Sequence, residues 1–86
     1  MGKFRVAGEC VMDIDVELDA RGLSCPLPIL RAKKSLSQMS SGQVLRIAAT
    51  DKGSPNDFAG FCRKTGNELL SSTADSGEFV FLIRRR

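Results

Sequence analysis

Three cysteines, Cys10, Cys25 and Cys62, are the residues of this sequence with the most reactive side chains. They are odd in number and widely spaced, which argues against a disulfide framework and favours free thiols in a reducing compartment. The sequence contains no histidine. Cys-His and Ser-His nucleophilic sites are therefore excluded, and a zinc site would need thiols and carboxylates alone. We expect no metal site.

Cys25 differs from the other two cysteines because two prolines follow it closely, in the segment Cys25-Pro26-Leu27-Pro28. Such prolines fit the first turn of a helix, where their missing N–H groups would have no intrahelical acceptor. We predict that Pro26 is the first helical residue and Cys25 the N-cap. The unpaired N–H groups and the macrodipole would then favour a thiolate, and Arg21 and Arg31 can add to this effect.

Each cysteine also has a simpler interpretation. Cys25 can instead be a small apolar residue packed beneath a turn, since free cysteine is among the most buried residue types. Cys62 falls in the apolar stripe of a predicted second helix, which favours a core residue over a second sulfur site or a resolving thiol. Cys10 lies in residues 1–11, which show no pattern; we predict an N-terminal extension without regular structure, in which Cys10 is incidental.

The patterns from residue 12 onward predict the elements that position Cys25. Strict alternation over 13–19 predicts a half-buried strand. The segment 54–57 predicts Ser54 as a helix N-cap with Asp57 at the third helical position, close to a capping box. The remaining predicted elements are a helix from Pro26 to about 40–42, a strand 43–50, a helix end at Gly66, and strands 68–74 and 78–84 around a turn at 75–77.

The predicted order of elements is β-α-β-α-β-β, which indicates an α+β fold. Its economical packing is a two-layer sandwich in which both helices cover one face of a four-stranded mixed sheet. Residues 12–86 are long enough for one core, so we predict a single domain. No apolar run is long enough to span a bilayer and no secretory signal is recognisable, so we expect a cytoplasmic monomer.

Uneven charge keeps a second functional class open. Residues 1–19 carry five acids against two bases, whereas residues 20–86 carry eleven bases against five acids. A basic surface can bind an acidic protein or a nucleic acid backbone, or can simply be solvated. With five Phe and neither Trp nor Tyr, few rings are left for base stacking. The basic side chains in question are Arg31, Lys33, Lys34, Arg63, Lys64 and the tail Arg84-Arg85-Arg86.

The block from Leu18 to Pro28, Leu-Asp-Ala-Arg-Gly-Leu-Ser-Cys-Pro-Leu-Pro, resembles the signature of the TusA (SirA-like) sulfur-carrier family. The likeness covers residues 13–86. It continues through Gly42, Thr50-Asp51, Gly53-Ser54, Asp57 and Phe61-Cys62. Lys52 departs from the pattern, because many relatives have proline after the aspartate.

The resemblance implies a small protein whose motif cysteine, Cys25, accepts sulfane sulfur as a persulfide and passes it to another protein, without a cofactor. Pro26 and Pro28 would shape the helix start. Asp51 and Asp57 match acidic positions of the family, and we assign them, together with Arg31, docking or structural roles. The implied donor is a cysteine desulfurase or a rhodanese-like protein. The implied downstream use is 2-thiouridine formation in tRNA or sulfur oxidation, by way of an acceptor protein.

The alternative is a noncatalytic module that uses its basic surface on RNA or on an acidic regulatory protein. Its affinity would fall steeply with salt and would survive loss of Cys25. A binding surface has no need for a thiol between a turn and two first-turn prolines. We therefore favour the sulfur carrier, and expect neither stable nucleic acid binding nor membrane association.

Overall fold

The structure is a computed structural model that describes residues 14–86. Cys10, the predicted extension 1–11 and the first residue of the predicted strand, Asp13, lie outside the described residues. The elements are β1 (Val16–Ala20), α1 (Leu27–Ser37), β2 (Val44–Ala49), α2 (Ser54–Thr65), β3 (Glu68–Asp75) and β4 (Glu78–Arg84). The predicted order β-α-β-α-β-β is confirmed. Within the described range, no helix is long and apolar enough to cross a membrane.

The four strands form one mixed sheet in the order β1-β2-β4-β3. β1 pairs with β2 in parallel, whereas β4 is antiparallel to both β2 and β3. β3 therefore runs in the same direction as β2. Each helix connects two strands of equal direction and must run back across the sheet, so both helices begin at the edge where β1 and β2 end.

The core lies between the helices and one face of the central strands. That face carries fully buried side chains, namely Leu45, Ile47 and Ala49 of β2 and Phe81 and Ile83 of β4. The helices add Ala32, Leu36, Phe58 and Cys62 to the same cluster. The ring of Phe58 stacks on that of Phe81 with centroids 4.7 Å apart. Because fully burying one such side chain contributes about 1.5–3 kcal/mol, this cluster holds the helices against the sheet.

The β3–β4 hairpin turns through Ser76 and Gly77, as the sequence predicts. Both residues have positive φ, 51° and 83°. Two such residues form the type I′ geometry, whose twist matches that of antiparallel strands. The turn thereby brings β4 back between β3 and β2.

Helix α1 differs from the prediction at both ends. Its N-cap is Pro26 and its first helical residue is Leu27, so Cys25 precedes the cap by one residue. The cause is a turn ahead of the helix, in which the Leu27 N–H donates to the Ser24 carbonyl at 2.8 Å. At the other end, the N–H groups of Gln38 and Met39 donate to carbonyls three residues back. This tighter winding ends the helix at Ser37, short of the predicted 40–42.

The predicted capping box of α2 is wrong by one residue. The N-cap is Gly53, and Ser54 is the first helical residue. Asp51 makes the turn instead: its Oδ2 accepts the Gly53 N–H at 3.0 Å and its carbonyl accepts the Ser54 N–H at 3.0 Å. The Ser54 hydroxyl is buried and has no hydrogen-bond partner among the described residues. The predicted stop at Gly66 is confirmed, with φ at 81°.

Two glycines of α2 provide a matched test of this backbone. Gly60 lies inside the helix, where an added Cβ would meet only the Arg63 guanidinium at 3.8 Å. At Gly66, a Cβ would be strained by the positive φ and would lie 3.0 Å from Arg86 Cδ. In urea denaturation, Gly60→Ala is expected to raise the free energy of unfolding by about 0.5–1 kcal/mol. Gly66→Ala should lower it by about 1 kcal/mol or more. Effects of equal sign would contradict this assignment.

Candidate functional site

Cys25 lies in the β1–α1 connection, at the edge where both helices begin, and its side chain is exposed. The topology places the β2–α2 connection at the same edge. That connection carries Asp51 and, one turn into α2, Asp57. A Cβ built on Gly53 would lie 3.2 Å from Asp51 Oδ2 and 3.5 Å from Asp57 Oδ2. The absence of a side chain at Gly53 thus leaves room for two carboxylates to converge at this edge.

Backbone hydrogen bonds hold the loop that carries Cys25. The Gly22 N–H donates to the Thr50 hydroxyl at 2.9 Å, which joins the end of β1 to the end of β2. The Leu23 N–H donates to the Ala20 carbonyl at 3.3 Å. The Cys25–Pro26 peptide bond is cis. The loop is therefore tied to the sheet before the cysteine and to the helix after it.

The pKa of the Cys25 thiol is raised above its ordinary value. The largest cause is hydrogen bonding to the Asp57 side chain, followed by partial loss of hydration and by the negative charges of Asp57 and Asp51. This is opposite to the predicted effect of the helix N-terminus. The prediction was wrong because it considered one helix in isolation, whereas the second helix brings two carboxylates to the same edge. Unloaded Cys25 is consequently held as a thiol.

The two arginines that were expected to favour a thiolate have other surroundings. Arg21 Nε contacts Asp19 Oδ1 at 2.9 Å, and a terminal nitrogen of its guanidinium contacts Glu78 Oε2 at 3.3 Å. These contacts lower the pKa of Asp19 to about 2 and raise that of Arg21. Arg31 is exposed on α1. Arg21 therefore connects the end of β1 to β4 and is engaged away from the thiol.

An apolar and basic surface lies on α1 close to Cys25. Leu27 and Leu30 are the exposed large hydrophobic residues of the described chain, with 46% and 53% of their surface accessible. They lie on the outer side of the helix, whereas Pro28 and Ala32 face the core. Arg31 and Lys34 are exposed on the same helix. We refer to Leu27, Leu30 and Arg31 as the α1 surface.

The remaining sequence predictions divide between the core and the site. Cys62 is 5% exposed and belongs to the core cluster, which confirms its predicted structural role; burial raises its pKa. Residues 14–86 hold no group of three cysteine or acidic side chains that could bind a metal ion. Sequence reasoning missed Gly53 and the two exposed leucines. The i, i+3 spacing of Leu27 and Leu30, outside the buried stripe, is the signal that could have identified the leucines.

Comparisons with known proteins agree with this geometry. The family model for sulfurtransferase TusA matches residues 16–85. A sulfur carrier protein TusA from Allochromatium vinosum is 62% identical over 73 residues, which cover 85% of this chain and 96% of the relative. A putative sulfur carrier protein from Neisseria meningitidis serogroup A is 52% identical over 80% of this chain and 93% of its own. A crystal structure of a SirA-like protein from Desulfitobacterium hafniense matches with a TM-score of 0.73 at 25% identity, covering 81% and 96% of the two chains.

The raised pKa leads to a direct test of the thiols. In the folded protein, alkylation of Cys25 by iodoacetamide should be half-maximal above pH 9.0, the ordinary thiol value. Cys62 should react only after unfolding, because it is buried. Peptide mass spectrometry of a Cys10→Ser variant would measure both rates without interference from the third thiol. A midpoint below pH 9.0 would show that the helix N-termini outweigh the two carboxylates.

Proposed function

The chain belongs to the TusA sulfurtransferase family, and from this premise we propose that it is a sulfur carrier that holds sulfane sulfur as a persulfide on Cys25. Relatives that match along most of their length are named sulfur carrier proteins. The observation that carries the assignment to Cys25 is its exposure. Of the cysteines in residues 14–86, Cys25 is exposed and Cys62 is buried.

Exposure matters because sulfur passes between proteins by thiol exchange. Cys25 Sγ attacks the outer sulfur of the donor's persulfide, a new S–S bond forms, and the donor's S–S bond breaks with release of the donor thiolate. The acceptor's thiolate then attacks the outer sulfur on Cys25 and releases Cys25 in its unloaded state. Each step exchanges one S–S bond for another, so no oxidant, reductant or cofactor is consumed.

The partners follow from this exchange. A donor must present a persulfide, as a cysteine desulfurase or a rhodanese-like protein does, and an acceptor protein must present a thiol. We propose 2-thiouridine formation in tRNA or sulfur oxidation as the downstream use. The α1 surface is the proposed docking face for the donor, because it combines exposed leucines with a free cationic side chain beside Cys25. Its charge favours an acidic patch on the partner.

The basic-surface alternative is less well supported by the same coordinates. No phenylalanine within residues 14–86 is exposed for base stacking. The basic tail is engaged in the fold: Arg84 pairs with Glu68, and Arg85 Nε donates to the Leu36 carbonyl at 2.7 Å. These arginines therefore have structural roles that a binding function is not needed to explain.

Intact-mass spectrometry after incubation with a persulfide donor tests the carrier function. The protein should gain one sulfur atom, which maps to Cys25 and is removed by a reductant. Cys25→Ser should reduce loading to background because the nucleophile is lost, whereas Cys62→Ala should load normally. Urea denaturation would confirm that both variants are folded. Equal loading of Cys25→Ser and the unmodified protein would refute the proposed function.

The docking face has a separate test. Arg31→Glu should slow loading from a protein donor by about threefold to tenfold, with the larger effect at low salt. Loading from a low-molecular-weight persulfide should not change, because that donor needs no docking face. Lys64→Glu, an equal change of charge in the last turn of α2, is the control. If Arg31→Glu and Lys64→Glu slow the protein donor equally, Arg31 has no specific docking role.

A further inference from the structure

Asp57 is the charged side chain most closely associated with Cys25. It lies in the first turn of α2, and its backbone N–H donates to the Gly53 carbonyl at 3.0 Å, so the helix itself sets its position. Its side chain is half-buried and reaches toward the Cys25 thiol, with which it hydrogen bonds. Asp57 thus combines a position set by the helix with direct contact to the reacting sulfur.

The chemistry of loading requires such a group. Cys25 is held as a thiol, yet the attack on a persulfide requires the sulfur to lose its proton. The charged groups that act on the thiol are two carboxylates, Asp57 on α2 and Asp51 on the connection before it. Two negative charges that only opposed ionisation would hinder loading. A carboxylate that also accepts the thiol's hydrogen bond provides a destination for the proton.

We propose that Asp57 is the general base for sulfur loading: it takes the proton from Cys25 as Sγ attacks the donor. This rests on the proposed function. In the step, the bond between Cys25 Sγ and the outer sulfur forms while the Sγ–H bond breaks and the proton moves to Asp57. The donor's S–S bond breaks, and its electron pair stays on the departing thiolate. Asp57 then gives the proton to that thiolate, so charge and atoms balance.

Asp51 provides the matched control. Its Oδ2 accepts the Gly53 N–H at 3.0 Å, and it acts on Cys25 through its charge. Asp51→Asn and Asp57→Asn each remove one negative charge from the same edge. Only Asp57→Asn also removes the acceptor of the thiol's proton. The two variants therefore separate an electrostatic effect from proton transfer.

The test compares two rates in the full chain, alkylation by iodoacetamide at pH 7 and single-turnover loading from glutathione persulfide. Both variants should alkylate faster than the unmodified protein, because more thiolate is present. Asp57→Asn should nevertheless load about a hundredfold more slowly, the scale of a lost general base. Its loading rate should increase with pH in proportion to the thiolate. Asp51→Asn should load at least as fast as the unmodified protein.

The outcomes separate the possible roles of Asp57. If Asp57→Asn alkylates and loads faster, Asp57 only opposes ionisation and the inference is overturned. If both rates fall, and the thermal denaturation midpoint falls with them, Asp57 is structural and the inference is also overturned. Slower loading with faster alkylation, partly restored in Asp57→Glu, supports it. Failure of the unmodified protein to load sulfur would instead refute the proposed function.

Discussion

The parallel pairing of β1 with β2 is the constraint on which the site depends. Parallel strands need a crossover, and the helix that makes it must begin where the first strand ends. Because β3 also runs parallel to β2, the second helix begins at the same edge. The loop with Cys25 and the turn with Asp51 and Asp57 therefore meet, although they belong to different connections. The core stacking of Phe58 on Phe81 holds α2 in this position.

This convergence sets the properties of the thiol. A helix N-terminus alone favours an anion, but the second helix supplies carboxylates whose effect on Cys25 is larger and of opposite sign. A sulfur carrier gains from this balance. A thiol that stays protonated at rest reacts slowly with oxidants and other electrophiles, since the thiolate is the nucleophile. Ionisation is then confined to the moment when a donor is present and Asp57 can accept the proton.

Much of the fold could be predicted because its signals are local. Alternation identified β1, the two prolines identified the start of α1, and Gly66 identified the end of α2. The errors at the helix caps have a common cause. Ser54 has the right residue type for an N-cap, but Asp51 already makes the turn through its side chain and carbonyl. Competition between two polar residues for the same N–H groups depends on loop geometry, which residue types do not determine.

The sequence by itself determined the elements, the exposed position of Cys25 at a helix start and the buried position of Cys62, because each depends on residues within a few positions. It also identified Asp51 and Asp57 as acidic positions of a family pattern. Only the tertiary structure decided that these carboxylates lie beside Cys25 and raise its pKa. The physical reason is that electrostatic and hydrogen-bond effects act over distance in space, and strand order decides which distant segments become neighbours.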